Sequence, residues 1–213
     1  MIYWDIETCA AANAAEFITE PKPPGSIKKA ETLAKWQAEE LPALREAALE
    51  AAALSPITGK VLAIGVMVDE TPNLIHGENE AEVLNDFWKI YRELGMPSRR
   101  GGDWVGFNTD SFDLPFVWKR SIINGIAPPL LFTERGYPLG HFIDLQRMWQ
   151  CGDRQAHGSL DVIARLCGFA GKTGSGAQFA ILYRSELTRK TALDYLHNDL
   201  LLTKMIALRM GVA

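Results

Sequence analysis

An excess of positive charge, long apolar runs and paired cysteines are all missing from this chain, and each absence excludes a class of function. Lysine and arginine total 22 against 26 acidic residues, a formal charge of −4, so the chain as a whole lacks the basic field of a protein that coats nucleic acid. The longest apolar run, Val61 to Val68, has eight residues, far short of the ~20 needed to cross a bilayer. The first residues, Met-Ile-Tyr-Trp-Asp-Ile-Glu-Thr, carry two acids and no basic residue, unlike a signal peptide, so a cytoplasmic protein with no membrane contact is expected. Cys9, Cys151 and Cys167 are odd in number and form no C-x-x-C pair, which argues against a disulfide framework or a thiolate zinc site and for small buried hydrophobes. No internal repeat exists, and no low-complexity tract beyond an alanine-rich stretch. Gly171-Lys172-Thr173 imitates the tail of a phosphate-binding P-loop, but the position that needs glycine five residues earlier is Leu166, and the segment follows a helix rather than a strand. Nucleoside triphosphate binding is excluded on that ground.

What the chain does have is 213 residues with 47% hydrophobic and 23% charged composition, enough for a single α/β domain over residues 1–213 with a sizeable core. Ile2 to Glu7 alternates as a strand, placing Tyr3, Asp5 and Glu7 on one face and Ile2, Trp4 and Ile6 on the other, so one face should be core and the other should carry acid. Residues 21–54 open on Pro21, Pro23, Pro24 and Gly25 and continue as an Ala/Glu/Leu-rich stretch from Ala30 to Leu54, which predicts a helical insertion between the first and second strands. Lys60 to Val68 and Leu74 to His76 read as strands, Glu80 to Leu94 as an amphipathic helix, and Trp104 to Phe107 as another strand. Phe112 to Ile123 reads as a helix with Pro115 in its first turn, His141 to Leu145 as a short strand, and Ser159 as the cap of a helix ended by Gly168. A glycine-rich loop, 168–176, leads to a last long helix from about Glu186 to Met210. On that helix Ala192, Tyr195, Asp199, Leu202 and Ile206 form one core-facing stripe.

Acids inside apolar elements are the informative feature. Asp5 and Glu7 share a strand face close enough to share a cation, and Asp199 lies in a Leu/Ile/Ala stripe, where a carboxylate must meet a cation, a metal or a hydrogen-bond network. Tyr195, one turn before Asp199, projects into the same space. Taken alone, Y-x-x-x-D describes a core tyrosine donating its hydroxyl to the acid more readily than a catalytic pair.

Three ordered segments, YWDIET at 3–8, GFNTDSFDLPFV at 106–117 and YLHND at 195–199, resemble the three exonuclease motifs of the DEDD superfamily in its tyrosine branch. The likeness is greatest to the proofreading domain of family B DNA polymerases and its stand-alone, often phage-borne, relatives. Ser55-Pro56 to Gly65, His141 to Leu145 and Ser159 to Lys172 extend the likeness over nearly the whole chain. The resemblance implies a ribonuclease H-like fold, a central mixed β-sheet flanked by helices. It implies metal-dependent 3′→5′ exonuclease activity on single-stranded nucleic acid, DNA 3′ ends in the first place, with release of nucleoside 5′-monophosphates and a replication or recombination protein as the expected partner. RNA trimming and a non-catalytic nucleic-acid or polymerase-binding module are the alternatives.

Residue by residue, the resemblance assigns Asp5 and Glu7 to the first motif, Asp113 to the second, and Tyr195 with Asp199 to the third. It selects Asp113 over Asp110, which is left as a turn residue, and the histidine branch would need histidine where this chain has Asp194. His197 falls off the stripe and is read as surface. Four clustered carboxylates would repel one another unless cations occupied the cluster, and oxygen ligands suit two Mg²⁺ or Mn²⁺ ions. Tyr195, with a phenol pKa near ~10, suits orientation of a water rather than its deprotonation.

For substrate contacts, Thr8 is implied by the resemblance, while Asn108, Phe112 and Lys172 lie in the motif or glycine-rich segments, and Phe107 reads as core. Lys28 and Lys29 belong to a locally basic stretch, Lys22 to Lys35, that either holds phosphates or forms a solvated helix face.

Overall fold

The structure is a computed structural model that describes residues 1–95, 104–132, 142–153, 155, 156 and 158–212. The chain divides into two compact units, one of Met1–Glu7 with Val61–Ala213 and one of Thr8–Lys60. Among the described residues five strands, β1 (Ile2–Ala10), β2 (Gly59–Val68), β3 (Thr71–His76), β4 (Trp104–Gly106) and β5 (Phe142–Asp144), form one sheet in the order β3-β2-β1-β4-β5. β2 and β3 pair antiparallel from Ala63↔His76 to Val68↔Thr71, whereas β1 with β4 (Ile2↔Trp104) and β4 with β5 (Gly106↔Asp144) are parallel, so the sheet is mixed.

The helices, in chain order, are α1 (Ala14–Phe17), α2 (Ala30–Glu39), α3 (Leu41–Ala51), α4 (Glu80–Glu93), α5 (Asp113–Ile123), α6 (Leu145–Gln150), α7 (Leu160–Leu166), α8 (Gly176–Arg184) and α9 (Glu186–Arg209). In the larger unit, Ile2, Trp4 and Ile6 pack with Phe87, Trp88 and Tyr91 of α4 and Leu114, Phe116 and Val117 of α5. Tyr3, Met67 and Val105 pack instead with Leu145, Ile163, Ala164, Leu200 and Ile206 of α6, α7 and α9. Tyr3 is therefore a core residue, and the expectation of one apolar and one acidic face on β1 holds only from Asp5 onward. A sheet joined by parallel crossovers carries helices on both faces, so both faces of its strands are buried.

A buried ion pair ties the first of these layers together. Glu80, at the first position of α4, accepts from Val61 N on β2 (2.7 Å), from Arg120 Nε and Nη2 on α5 (2.9 and 2.6 Å), and from Asn124 Nδ2 (2.9 Å). Both charged side chains are about nine-tenths buried. Arg120→Ala strands the Glu80 carboxylate, and is expected to lower stability by about 3–5 kcal/mol, read as a shifted urea midpoint at pH 7.

In the smaller unit, the stretch from Ala30 to Leu54 is not one helix. It breaks at Glu40 into α2 and α3, followed by a 3₁₀ turn at Ala52–Leu54. Pro42 sits in the first turn of α3, where its missing N–H costs nothing, but inside a continuous helix it would have left a carbonyl unpaired. Trp36 is the buried residue of α2, and α3 buries none. Thr8 Oγ1 donates to the Ala53 carbonyl (2.7 Å) and Thr58 Oγ1 to that of Ala52 (2.9 Å), holding the 3₁₀ turn.

Three further expectations need correction. Leu145 is not a strand residue: Asp144 caps α6, whose backbone begins there, and His141 lies outside the described residues. Cys151 is exposed rather than buried, because it takes the left-handed conformation (φ 48°) that ends α6 at the surface. A further helix, α8, occupies the segment after the glycine-rich loop. Ser159 does cap α7, accepting from Val162 N (3.3 Å). Among the described residues no helix is long and apolar enough to cross a membrane.

Candidate active site

Period-two alternation on β1 sends Asp5 and Glu7 out of the same face, and the stripe on α9 turns Asp199 inward. Asp5, Glu7 and Asp199 each place a carboxylate oxygen within 4.8 Å of the other two. Asp199 is fully buried, and Glu7 and Asp113 nearly so. Asp113 opens α5 and reaches back to β1, where its Oδ1 accepts from Ile6 N (3.1 Å), the amide between Asp5 and Glu7. Its charge bears directly on Asp5. The sequence-predicted acids thus come from three separate stretches of chain into one cluster.

Among the described residues, one cation answers them. Lys172 Nζ lies 2.5 Å from Asp199 Oδ2 and 5.0 Å from the centre of the Tyr195 ring. The loop that delivers it is fixed from below: Lys172 N donates to Asp161 Oδ1 (2.8 Å), and the preceding Gly171 has φ +85°. A Cβ at Gly171 would stand 2.5 Å from the same Asp161 oxygen, so conformation and space both demand glycine there. Farther along, Gly174 lies against the Tyr195 ring and Gly176, at the start of α8, against Glu7 Oε2.

The electrostatics follow from burial and crowding. Burial, then the charges of Asp113, Asp199 and Glu7, hold Asp5 well above the ordinary carboxylate range, with Lys172 opposing. Burial and the Asp199 charge push Glu7 up to about 8, again against Lys172. Asp113 is pushed up to about 7 by burial, although its bond from Ile6 pulls the other way. Asp199 is also raised by burial, moderated by Lys172. Burial works against a charged Lys172, but Asp199, Asp5 and Glu7 outweigh it and hold its pKa above the ordinary lysine value. Burial and the nearby Asp199 and Glu7 charges drive the Tyr195 phenol far upward, so it stays protonated at neutral pH.

The Tyr195 hydroxyl and Asp199 Oδ1 are both buried, and the phenol lies close enough to Asp199 to favour its ionised form as a hydrogen-bond donor. A buried donor set made wholly of carboxylates, offset among the described residues by Lys172, fits a hard divalent cation.

The other singled-out residues stand as follows. Phe112 is half-buried and tilts against Phe116, with centroids 5.4 Å apart, while Phe107 packs against the α6–α7–α9 core. Asn108 has φ +61°, and its N–H is taken by Asp144 (3.0 Å). Asp110 pairs with Arg147, and Asp194 is exposed and pairs with Lys190. Thr8, Lys28 and Lys29 belong to the smaller unit, the two lysines exposed ahead of α2. His197 is not a surface residue: it is half-buried with its Nε2 enclosed, because α8 packs along α9, and it lines with Phe179 and Tyr195 a cavity of about 450 Å³. Sequence reasoning passed over Asp144 and Asp161, whose signals were local: each is the acid at or just after a helix cap.

A mixed five-stranded sheet with helices on both faces and this carboxylate cluster on its first strand is the ribonuclease H-like fold of the polymerase-type exonucleases. Residues 58–213 match the family described as a predicted 3′-5′ exonuclease related to the exonuclease domain of PolB, and the chain belongs to that family. Among solved structures it is similar to the family B DNA polymerase from the hyperthermophilic archaeon Pyrobaculum calidifontis, with a TM-score of 0.64 and 15% identity over 99% of this chain. The chain spans 24% of that polymerase's length. No curated protein matches the sequence.

Proposed function

We propose that this chain is a metal-dependent 3′→5′ exonuclease of the tyrosine branch that degrades single-stranded DNA from its 3′ end and releases nucleoside 5′-monophosphates. The observation that carries the reading is the convergence of Asp5, Glu7 and Asp199 to within 4.8 Å, in a buried site with Asp113 alongside and one lysine to offset them. Asp5, Glu7, Asp113 and Asp199 would hold two Mg²⁺ or Mn²⁺ ions, which when bound lower the pKa of water and neutralise charge on the attacking and leaving oxygens. Tyr195 keeps its proton at neutral pH and therefore acts as a hydrogen-bond donor that orients the incoming water; it is not the base. Lys172 is already cationic beside Asp199, and its ammonium is the group placed to meet the scissile phosphate. Phe112 and Asn108, on the turn that leads into α5, are assigned to the terminal nucleotide.

The test is an oligonucleotide digestion comparing DNA with RNA and 3′ with 5′ labels, each with Mg²⁺, Mn²⁺ or chelator. Shortening of 5′-labelled single-stranded DNA one nucleotide at a time, with mononucleotide appearing at once from the 3′-labelled strand and nothing in chelator, is the expected pattern. Preferential digestion of RNA would replace the substrate, since the two differ locally by the 2′-hydroxyl. No cleavage with either metal would remove the reading.

A further inference from the structure

Asp144 stands outside the acidic cluster, at the end of β5, where it faces Gly106 of β4 across the parallel ladder. It is buried, and its carboxylate is saturated by backbone N–H groups from two directions. Oδ1 accepts from Gln146 (2.9 Å) and Arg147 (3.3 Å), capping α6. Oδ1 also accepts from Asn108 (3.0 Å), and Oδ2 accepts from Asp110 (3.1 Å). Those last two belong to the turn between β4 and α5. Asparagine could not take all four donors as they stand, because its amide nitrogen would meet the Asp110 N–H donor to donor.

The turn has little freedom once held. Asn108 adopts φ +61°, Thr109 is fully buried, and a Cβ on Gly106 would meet Thr109 Cβ at 2.8 Å. The Asn108 carbonyl accepts from Ser111 and Phe112 (3.2 and 3.0 Å), and that of Thr109 accepts from Leu114 (3.0 Å), so the turn passes without slack into the first turn of α5. Asp113 sits there, its carboxylate against Ile6 N between Asp5 and Glu7. Arg147, whose N–H Asp144 caps, returns to the turn by pairing with Asp110 Oδ2 (2.5 Å).

We propose that Asp144 is a positioning residue, which fixes Asp113 against β1 by clamping the 108–110 turn, and so sets the geometry of the carboxylates that receive the divalent cations. This inference rests on the exonuclease reading. Two variants separate it from simple capping of α6. Asp144→Ser keeps a good N-cap for α6 but is too short to reach the turn as well. Asp144→Asn keeps one accepting oxygen and turns the other contact into a donor facing a donor.

The measurements are Mn²⁺ affinity by titration calorimetry, melting temperature in chelator, and kcat with KM for single-stranded DNA. For Asp144→Ser, Mn²⁺ affinity and kcat are expected to fall about 10- to 100-fold, as for other groups that orient ligands, with KM changed by less than about twofold. Asp144→Asn is expected to fall between wild type and Asp144→Ser in both. Wild-type Mn²⁺ affinity and kcat in either folded variant, or a raised KM with kcat kept, would reduce Asp144 to a helix cap. A wild-type protein that binds Mn²⁺ but cleaves no nucleic acid would defeat the exonuclease reading instead, while the affinity comparison would still decide the role of Asp144.

Discussion

Asp5→Asn is expected to cut kcat by about 10³-fold while making the metal-free protein harder to unfold. The two effects have one cause. Asp5 feels burial and three neighbouring carboxylates, which outweigh Lys172, so in the absence of cations its charge is a cost to folding. An isosteric amide removes that repulsion without opening a cavity, but it is a poorer ligand for a hard cation and cannot balance two positive charges. Relief of even about 1 kcal/mol corresponds to a rise of about 2–4 °C in melting temperature for a chain of this size. Thermal melts in chelator, set beside single-turnover rates with Mn²⁺, check both halves. Adding Mn²⁺ should then reverse the order, because ligand linkage stabilises the wild type in proportion to its tighter binding. Asp199→Asn should show no such gain in chelator, since it strips Lys172 of its 2.5 Å partner. An Asp5→Asn protein that melts lower than wild type in chelator and still hydrolyses DNA would place Asp5 outside the metal site.

Residues whose neighbours lie within a few positions were readable before the structure. Tyr195 and Asp199 needed only helical periodicity to be placed on one inward stripe, and Asp5 with Glu7 only strand alternation. Tyr3 escaped the same rule because period two tells which residues share a face, not whether a second layer of helices covers it. Helix α8 was passed over because Gly174, Ser175 and Gly176 read as loop, yet the helix begins at Gly176, where the chain passes Glu7. That approach is a tertiary fact with no local trace. Lys172 shows the same limit more sharply: the sequence placed it in a glycine-rich loop, and nothing within ten residues could say that its ammonium ends on Asp199. Asp144 was visible only as part of a motif, because its work is to join a turn 36 residues earlier to the start of α6.

With metal removed, the protein is expected to lose stability as pH rises from about 4 to about 8, opposite to the usual behaviour of carboxylates in salt bridges. Glu7 is raised from 4.5 to about 8 and Asp113 from 3.8 to about 7 in the folded chain. Between the unfolded and folded values the native state holds more protons than the unfolded one, so removing protons favours unfolding. The stabilising contribution of these neutral acids is therefore complete below about pH 4 and is lost as pH passes through 7 and 8. Asp5 and Asp199, also raised, act in the same direction, while the ammonium of Lys172 keeps part of the cluster tolerable throughout. Cation binding must reverse this, since the ligands bind as anions and release their protons. Because Glu7 and Asp113 are both raised, protons they hold near neutral pH are displaced by the cations, and net proton release is the expected result of Mn²⁺ titrations in buffers of different ionisation enthalpy. Release should shrink as pH rises through the raised values of Glu7 and Asp113, and the melting temperature with saturating Mn²⁺ should lose its downward slope. A melting temperature in chelator that stays level or climbs between pH 5 and 8 would mean that these acids are not crowded together without metal.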